Sequence, residues 1–198
     1  MFHARSQERE KFLAKIIKEG GKKGVEIEGA SDMGGLDFFC TTCEFPDGDL
    51  ALLEICMTAM NAEPDPEAED RKGCSGAVGK MIFSAGIDQL AIVAYVPDDK
   101  VAKVDTVDWV AAVLEEVGGK CMMNKPQKAI SPNGGIAVQA VIAADPENGR
   151  YPLKDKDAAM AAAFAYLRAH GAFPEDTGDD DDDEVCFGDD AFDNIDEL

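Results

Sequence analysis

The residues with the greatest chemical reach in this chain are cysteines. Cys40-Thr41-Thr42-Cys43 has the Cys-x-x-Cys spacing of zinc knuckles and thiol–disulfide exchange sites. Structural zinc needs four nitrogen or sulfur ligands in a tetrahedron, usually from two such pairs. The chain has no second Cys-x-x-Cys, and its two histidines, His3 and His170, lie near opposite ends of the part that reads as globular. The pair also falls in a segment with strand character, where residues three apart point to opposite faces. A redox pair belongs at a helix N-terminus, which lowers the thiol pKa, and here the next helix is expected only from about residue 50. The spacing therefore favours cysteines packed as small apolar side chains over a zinc or redox pair. Hydrolytic chemistry is equally thin. Two histidines leave little material for a Ser-His-Asp arrangement, and there is no Gly-x-Ser-x-Gly, His-Glu-x-x-His or phosphate-loop motif. No catalytic residue, metal ligand or cofactor is assigned, and the chain is expected to act by binding.

A different kind of signal lies in residues 118–135. Gly118-Gly119-Lys120 opens this segment, Lys125-Pro126 and Lys128 follow, and Gly134-Gly135 closes it, with no acidic residue between. Long connections on a rigid scaffold often carry function. Glycines allow backbone N–H groups close to phosphates, and lysines add charge without reading sequence. Gly118, Gly119, Lys120, Lys125, Lys128, Gly134 and Gly135 are the candidate RNA-binding residues, with a plain flexible connection as the other reading.

The overall charge has to be divided before it is read. Of the net −21, residues 175–198 supply −13 through 13 Asp and Glu with no Lys or Arg, leaving −8 for residues 1–174. The first 24 residues run the other way, with seven Lys or Arg against three Glu. This argues against a wholly nucleic-acid-binding surface but permits a local basic patch. Six cysteines without a secretory leader read as reduced thiols. No apolar run reaches the roughly 18 residues of a membrane span, and the N-terminus lacks an apolar leader core. A cytoplasmic location without membrane attachment is expected.

The elements that must position the lysine segment follow from periodicity and punctuation. Ser6 can cap a helix with Phe12, Leu13, Ile16 and Ile17 on one face, stopped at Gly20-Gly21. Residues 25–30 alternate as a half-buried strand, and a second strand is expected over 36–45. Pro46-Asp47-Gly48 marks a turn, and Asp49 caps a helix over 50–61. Residues 63–78 read as a loop or linker. Residues 80–84 and 90–96 form a hairpin, the second run nearly all apolar as in a strand covered on both faces. Asp105 or Thr106 caps a helix with Trp109, Val110, Val113, Leu114 and Val117 inward. Residues 136–143 are a further buried strand. Asp155 or Asp157 opens a last helix with Met160, Phe164 and Leu167 inward. The class is α/β, with α+β as the other possibility: a mixed sheet with helices packed on it. The halves share at most a weak β-β-α repeat, and the chain divides into 1–62, 63–78, 79–174 and an acidic tail, 175–198.

Residues 79–171 resemble the globular C-terminal domain of alanyl-tRNA synthetases, a module shared with alanyl-tRNA-editing and phosphoesterase relatives. Gly118, Gly119 and Lys120 match the opening of that family's basic loop, Lys125 and Pro126 its middle, and Gly134 and Gly135 its close. The runs at Met81-Ile82-Phe83-Ser84 and 90–97 and the helix through Trp109 fit as well. Two departures stand out: Cys121-Met122-Met123-Asn124 replaces the family's glycine run, and the loop is longer after Pro126. The resemblance implies a free-standing copy without the aminoacylation, zinc-editing or phosphoesterase parts, contacting tRNA or another structured RNA. The alternative is a protein-interaction adaptor that keeps the fold and has lost RNA binding.

The tail combines five consecutive Asp, 179–183, with apolar Val185, Phe187, Phe192, Ile195 and Leu198. Acid alone would leave a disordered, solvated end. Interleaved apolar residues suit a short motif that docks on a partner, which makes Phe187, Phe192, Ile195 and Leu198 the candidate docking residues. Docking on the chain's own basic N-terminal helix and a role in solubility alone are the other readings.

Overall fold

Near-continuous apolar runs along three long strands dictate a sheet covered on both sides, and that is what the computed structural model contains. It describes residues 2–64, 67 and 72–174, with side chains from residue 8 onward. In chain order the elements are α1 (Phe2–Gly34), β1 (Phe38–Thr42), α2 (Leu50–Asn61), β2 (Gly79–Ala85), β3 (Gln89–Val96), α3 (Thr106–Val117), β4 (Cys121–Met123), β5 (Gln127–Lys128), β6 (Ile136–Ala143) and α4 (Pro152–Ala169). The protein is an α/β fold with a mixed sheet in the order β1-β2-β3-β6-β4, and β5 also pairs with β6. Only the β1–β2 pairing is parallel; the other ladders are antiparallel.

Each face of the sheet carries its own core. Met81, Phe83, Leu90, Ile92, Ala94, Val138 and Ala140 point to one side, where they meet Trp109, Val113, Ala159, Ala163 and Leu167 of α3 and α4. Ile82, Ala91, Val93 and Tyr95 point to the other, against Ile16, Leu53, Cys56, Met57 and Met60 of α1 and α2. The result is three layers, helices–sheet–helices, with β3 buried on both faces as its apolar run requires. Helix starts follow the side-chain chemistry. The Asp49 carboxylate accepts from the N–H groups of Ala51 and Leu52, at 2.9 and 3.1 Å, and Asp105 does the same for Val107 and Asp108, at 2.8 and 3.1 Å. Trp109 locks the second helix layer by donating its indole N–H to the Ala163 carbonyl, 3.1 Å away.

The N-terminal part departs most from expectation. α1 does not stop at Gly20-Gly21, and residues 25–30 are helical rather than a strand. With that strand gone, the weak β-β-α repeat is absent as well. The glycines are where α1 crosses α2: a Cβ on Gly20 would overlap the Cys56 carbonyl, and one on Gly24 would stand 2.8 Å from the Met60 carbonyl. Close approach of two helices offsets the cost of about 1 kcal/mol that glycine carries in a helix. The buried stripe Ile16, Gly20, Gly24, Ile27 has helical spacing that passes straight through the supposed stop.

Three smaller corrections concern the C-terminal half. Residues 118–135 are not one loop, because β4 and β5 hold them to β6. α4 begins at Pro152 rather than at Asp155 or Asp157, with proline at the first helical position, where its missing N–H costs nothing. Its buried face is Asp155, Ala159, Ala163 and Leu167, while Met160 and Phe164 are only partly covered. The tail, 175–198, with Phe187, Phe192, Ile195 and Leu198, lies outside the described residues. Among the described residues no helix is long and apolar enough to cross a membrane.

Candidate nucleic-acid interface

The lysine segment is an edge strip of the sheet, and its geometry follows from register. Cys121 stands opposite Ile142, and Lys128 opposite Ile136. The carbonyl of Lys120 continues the ladder by accepting from Ala143 N–H at 3.0 Å. Lys120 and Lys128 are therefore separated by seven residues of β6, which at roughly 3.4 Å per residue is about 24 Å. Lys125 falls between them, and all three are exposed. Cross-strand partners share a face, so Lys128 lies on the α3–α4 side with Ile136, and Lys120 opposite Ala143 lies on the other. The three lysines line an edge without converging on a point. Asn124 pins the middle, donating its backbone N–H to the Gln139 carbonyl (2.8 Å) and its side-chain amide to Gln139 Oε1 (3.0 Å).

The glycine pairs at the two ends are anchors. Gly118 ends α3 and gives its N–H to the Leu114 carbonyl at 2.8 Å, and Gly134 gives its own to the Ser131 carbonyl at 3.1 Å. These two amides are thereby engaged within the chain. Gly119 has φ +84 and lies over the Arg150 guanidinium, which a Cβ would approach to 2.9 Å. Arg150 in turn donates to the Val117 carbonyl and stands 3.5 Å from the buried carboxylate of Asp155. Gly134, at φ +62, sits where any side chain would overlap the Asp98 carboxylate. Gly135 at φ +105 is buried against the Val96 carbonyl.

A buried polar group ties this strip to the helices on the far side, and sequence reasoning passed over it. The Tyr95 hydroxyl donates toward the Gly76 carbonyl at 2.6 Å and lies 2.8 Å from Ser131 Oγ and 3.1 Å from the Gly134 carbonyl. Burial holds this phenol above its ordinary pKa, with the hydrogen bond to Ser131 working the other way. Beside it, Lys80 is fully buried and donates to Asn61 Oδ1 (2.7 Å), the Ser75 carbonyl (2.6 Å) and the Val78 carbonyl (3.0 Å), with its ammonium 4.8 Å from the Tyr95 ring. Burial pushes the Lys80 ammonium well below the usual lysine range, and the charge of Lys100 adds to this. All three hydrogen positions are spent on protein oxygens, so Lys80 is a structural pin. The one signal in the sequence was a lysine and a tyrosine placed in otherwise apolar strands, where each polar tip must find a partner.

Two further features bear on the chemistry. Cys40 and Cys43 point into opposite cores. Cys43 instead meets Cys56 of α2, sulfur to sulfur 3.4 Å. A second basic surface lies on the α1 side, where Lys15, Lys18, Lys22 and Lys23, with Glu19, Glu26 and Phe45, line an open cleft of about 410 Å³.

No protein-family model matches the chain, and no curated protein matches it either.

Proposed function

We propose that this protein is a cytoplasmic RNA-binding module, similar to the C-terminal domain of alanyl-tRNA synthetases, that lays its sheet edge along the phosphate backbone of tRNA or another structured RNA. The observation that carries this reading is the strip itself: Lys120, Lys125 and Lys128 are all exposed along about 24 Å of a β-pinned edge. Successive phosphates of a duplex DNA strand rise by about 3.4 Å, and those of an A-form RNA strand lie closer still along the axis, so the strip spans several of them and suits contact at intervals. Such contacts position an RNA without reading its bases. The α1 lysine cleft lies on another element and is no part of this edge. Binding of tRNA at low salt, by the full chain and by a chain ending at residue 174, tests the reading. Failure of both to bind would exclude it.

A second reading has its own support. Met122 and Ile130 are 61% and 71% exposed within the same strip, more apolar surface than a phosphate contact needs and suited to a protein partner. In that case the module is an adaptor, with Phe187, Phe192, Ile195 and Leu198 as further docking residues. Recovery of partners from cell extract with and without nuclease separates the two. Partners that survive nuclease and vanish on removal of residues 175–198 favour the adaptor.

A further inference from the structure

We propose that Glu19, Cys43 and Cys56 form a binding site for a zinc ion, at the junction of α1, the chain leaving β1, and α2. Two sulfurs and a carboxylate oxygen from these residues lie within 4.8 Å of one another, and they are the one such group among the described residues. In a tetrahedral site with Zn–S near 2.3 Å and Zn–O near 2.1 Å, sulfurs stand about 3.8 Å apart and each about 3.6 Å from the oxygen. The two sulfurs here are 3.4 Å apart, so they must separate by about 0.4 Å to take the ion. A disulfide at about 2.05 Å would require them to close by about 1.35 Å. The spacing is nearer to that of a shared metal than to that of a covalent bond.

The surroundings support the same assignment. Glu19 is held by its outer partners, one carboxylate oxygen accepting from Glu44 N–H at 2.7 Å and the other from Phe45 N–H at 3.1 Å. Those amides directly follow Cys43, so carboxylate and thiol are fixed relative to one another before any ion arrives, as outer-shell bonds fix ligands in metal sites. Two sulfurs and an oxygen suit zinc and select against magnesium and calcium, which take oxygen ligands. Cys43 and Cys56 are buried, and Glu19 alone of the three borders the lysine cleft, so a fourth ligand would come from that side. On binding, each thiol gives its proton to solvent, both sulfurs bind as thiolates, and no electron moves. Two thiolates and a carboxylate around Zn²⁺ leave one net negative charge. Lys15, Lys18, Lys22 and Lys23, which line the cleft, are placed to offset it. The site is separate from the edge strip, and its assignment does not depend on RNA binding.

The test uses the full chain, reduced and stripped with a chelator, then titrated with Co²⁺ and afterwards with Zn²⁺. One cobalt per chain with a thiolate-to-cobalt charge-transfer band, displaced by zinc, is expected. Cys43→Ser and Cys56→Ser should each weaken or remove that band, and Cys40→Ser, the other half of the Cys-x-x-Cys, should leave it unchanged. Glu19→Gln should lower zinc affinity by more than the roughly 10–100-fold that loss of an outer-shell partner costs. X-ray absorption on the zinc-loaded wild type needs no variant and should show two sulfur neighbours, the rest oxygen. A reduced chain that gives no charge-transfer band, a band that survives both serine substitutions, or a zinc shell with no sulfur would overturn the proposal.

Discussion

Two glycine pairs in this molecule share a dipeptide and do opposite things. Gly20-Gly21 lies inside a 33-residue helix, where the missing side chains let α1 sit against the Cys56 carbonyl of α2 at Gly20 and against Lys72 and Gly73 at Gly21. Gly118-Gly119 ends a helix, with φ of +67 and +84, and turns the chain onto the sheet edge. The first pair is there for space, the second for backbone conformation. A sequence read without a partner surface cannot separate these uses, because both look like punctuation. The two regions differ in charge as well. The lysines near the first pair gather in a cleft on a helix, and those after the second spread along an edge, the set to which we assign the proposed RNA contact.

Substitutions at single glycines can break this division. The largest effect is expected at Gly24, where valine would drive its Cβ into two backbone carbonyls that cannot move independently. Chemical denaturation of Gly24→Val should show a loss of about 3 kcal/mol or more. Gly134→Ala combines a left-handed backbone with overlap on Asp98 and should cost roughly 2 kcal/mol. The Asp98 side chain can swing aside, so this loss stays below that at Gly24. A shift of equal size at both would mean that space and backbone conformation weigh equally at the two glycines.

Lys80 allows a sharper test through pH. Its ammonium is held below the ordinary lysine pKa in the folded chain, so the unfolded chain binds that proton more readily. Stability should therefore rise with pH between the lowered folded value and the usual lysine range near 10.5, by at most about 1.4 kcal/mol per pH unit. Below the folded value the cost of charging Lys80 is fully present. Lys80→Met should flatten this rise in denaturation curves collected across alkaline pH, and an unchanged profile would mean that other groups carry it. The smallest effect has the opposite sign. Gly29 is in α1 with nothing near its missing Cβ, so Gly29→Ala should stabilise by about 0.5–1 kcal/mol.

Much of the sheet was legible in the sequence, for a physical reason. β2, β3 and β6 are long apolar runs bounded by turn residues, and Asp49 and Asp105 cap helices through bonds local in sequence. What was not legible depends on distant partners. The stripe through Ile16, Gly20, Gly24 and Ile27 makes sense only against α2. β4 and β5 are three and two residues long and hold exposed Met122, Met123 and Lys128, so their strand state comes from β6 and not from their own pattern. Cys43 finds Cys56 thirteen residues away on a helix, a spacing that no local motif describes. At the edge strip, the lysines were visible as exposed charge, while their spread of about 24 Å followed only from register. Arg150 beneath Gly119 had no local signal at all.

The division between edge and cleft is tested most directly by the salt dependence of tRNA binding in three proteins: wild type, Lys120→Ala/Lys125→Ala/Lys128→Ala, and Lys15→Ala/Lys18→Ala/Lys22→Ala. Three phosphate contacts give a slope of roughly −2 to −3 in log K against log salt. The edge variant should lose most of that slope and about 1 kcal/mol of affinity per contact, with the cleft variant close to wild type. Loss of slope in the cleft variant with an unaffected edge variant would contradict the account.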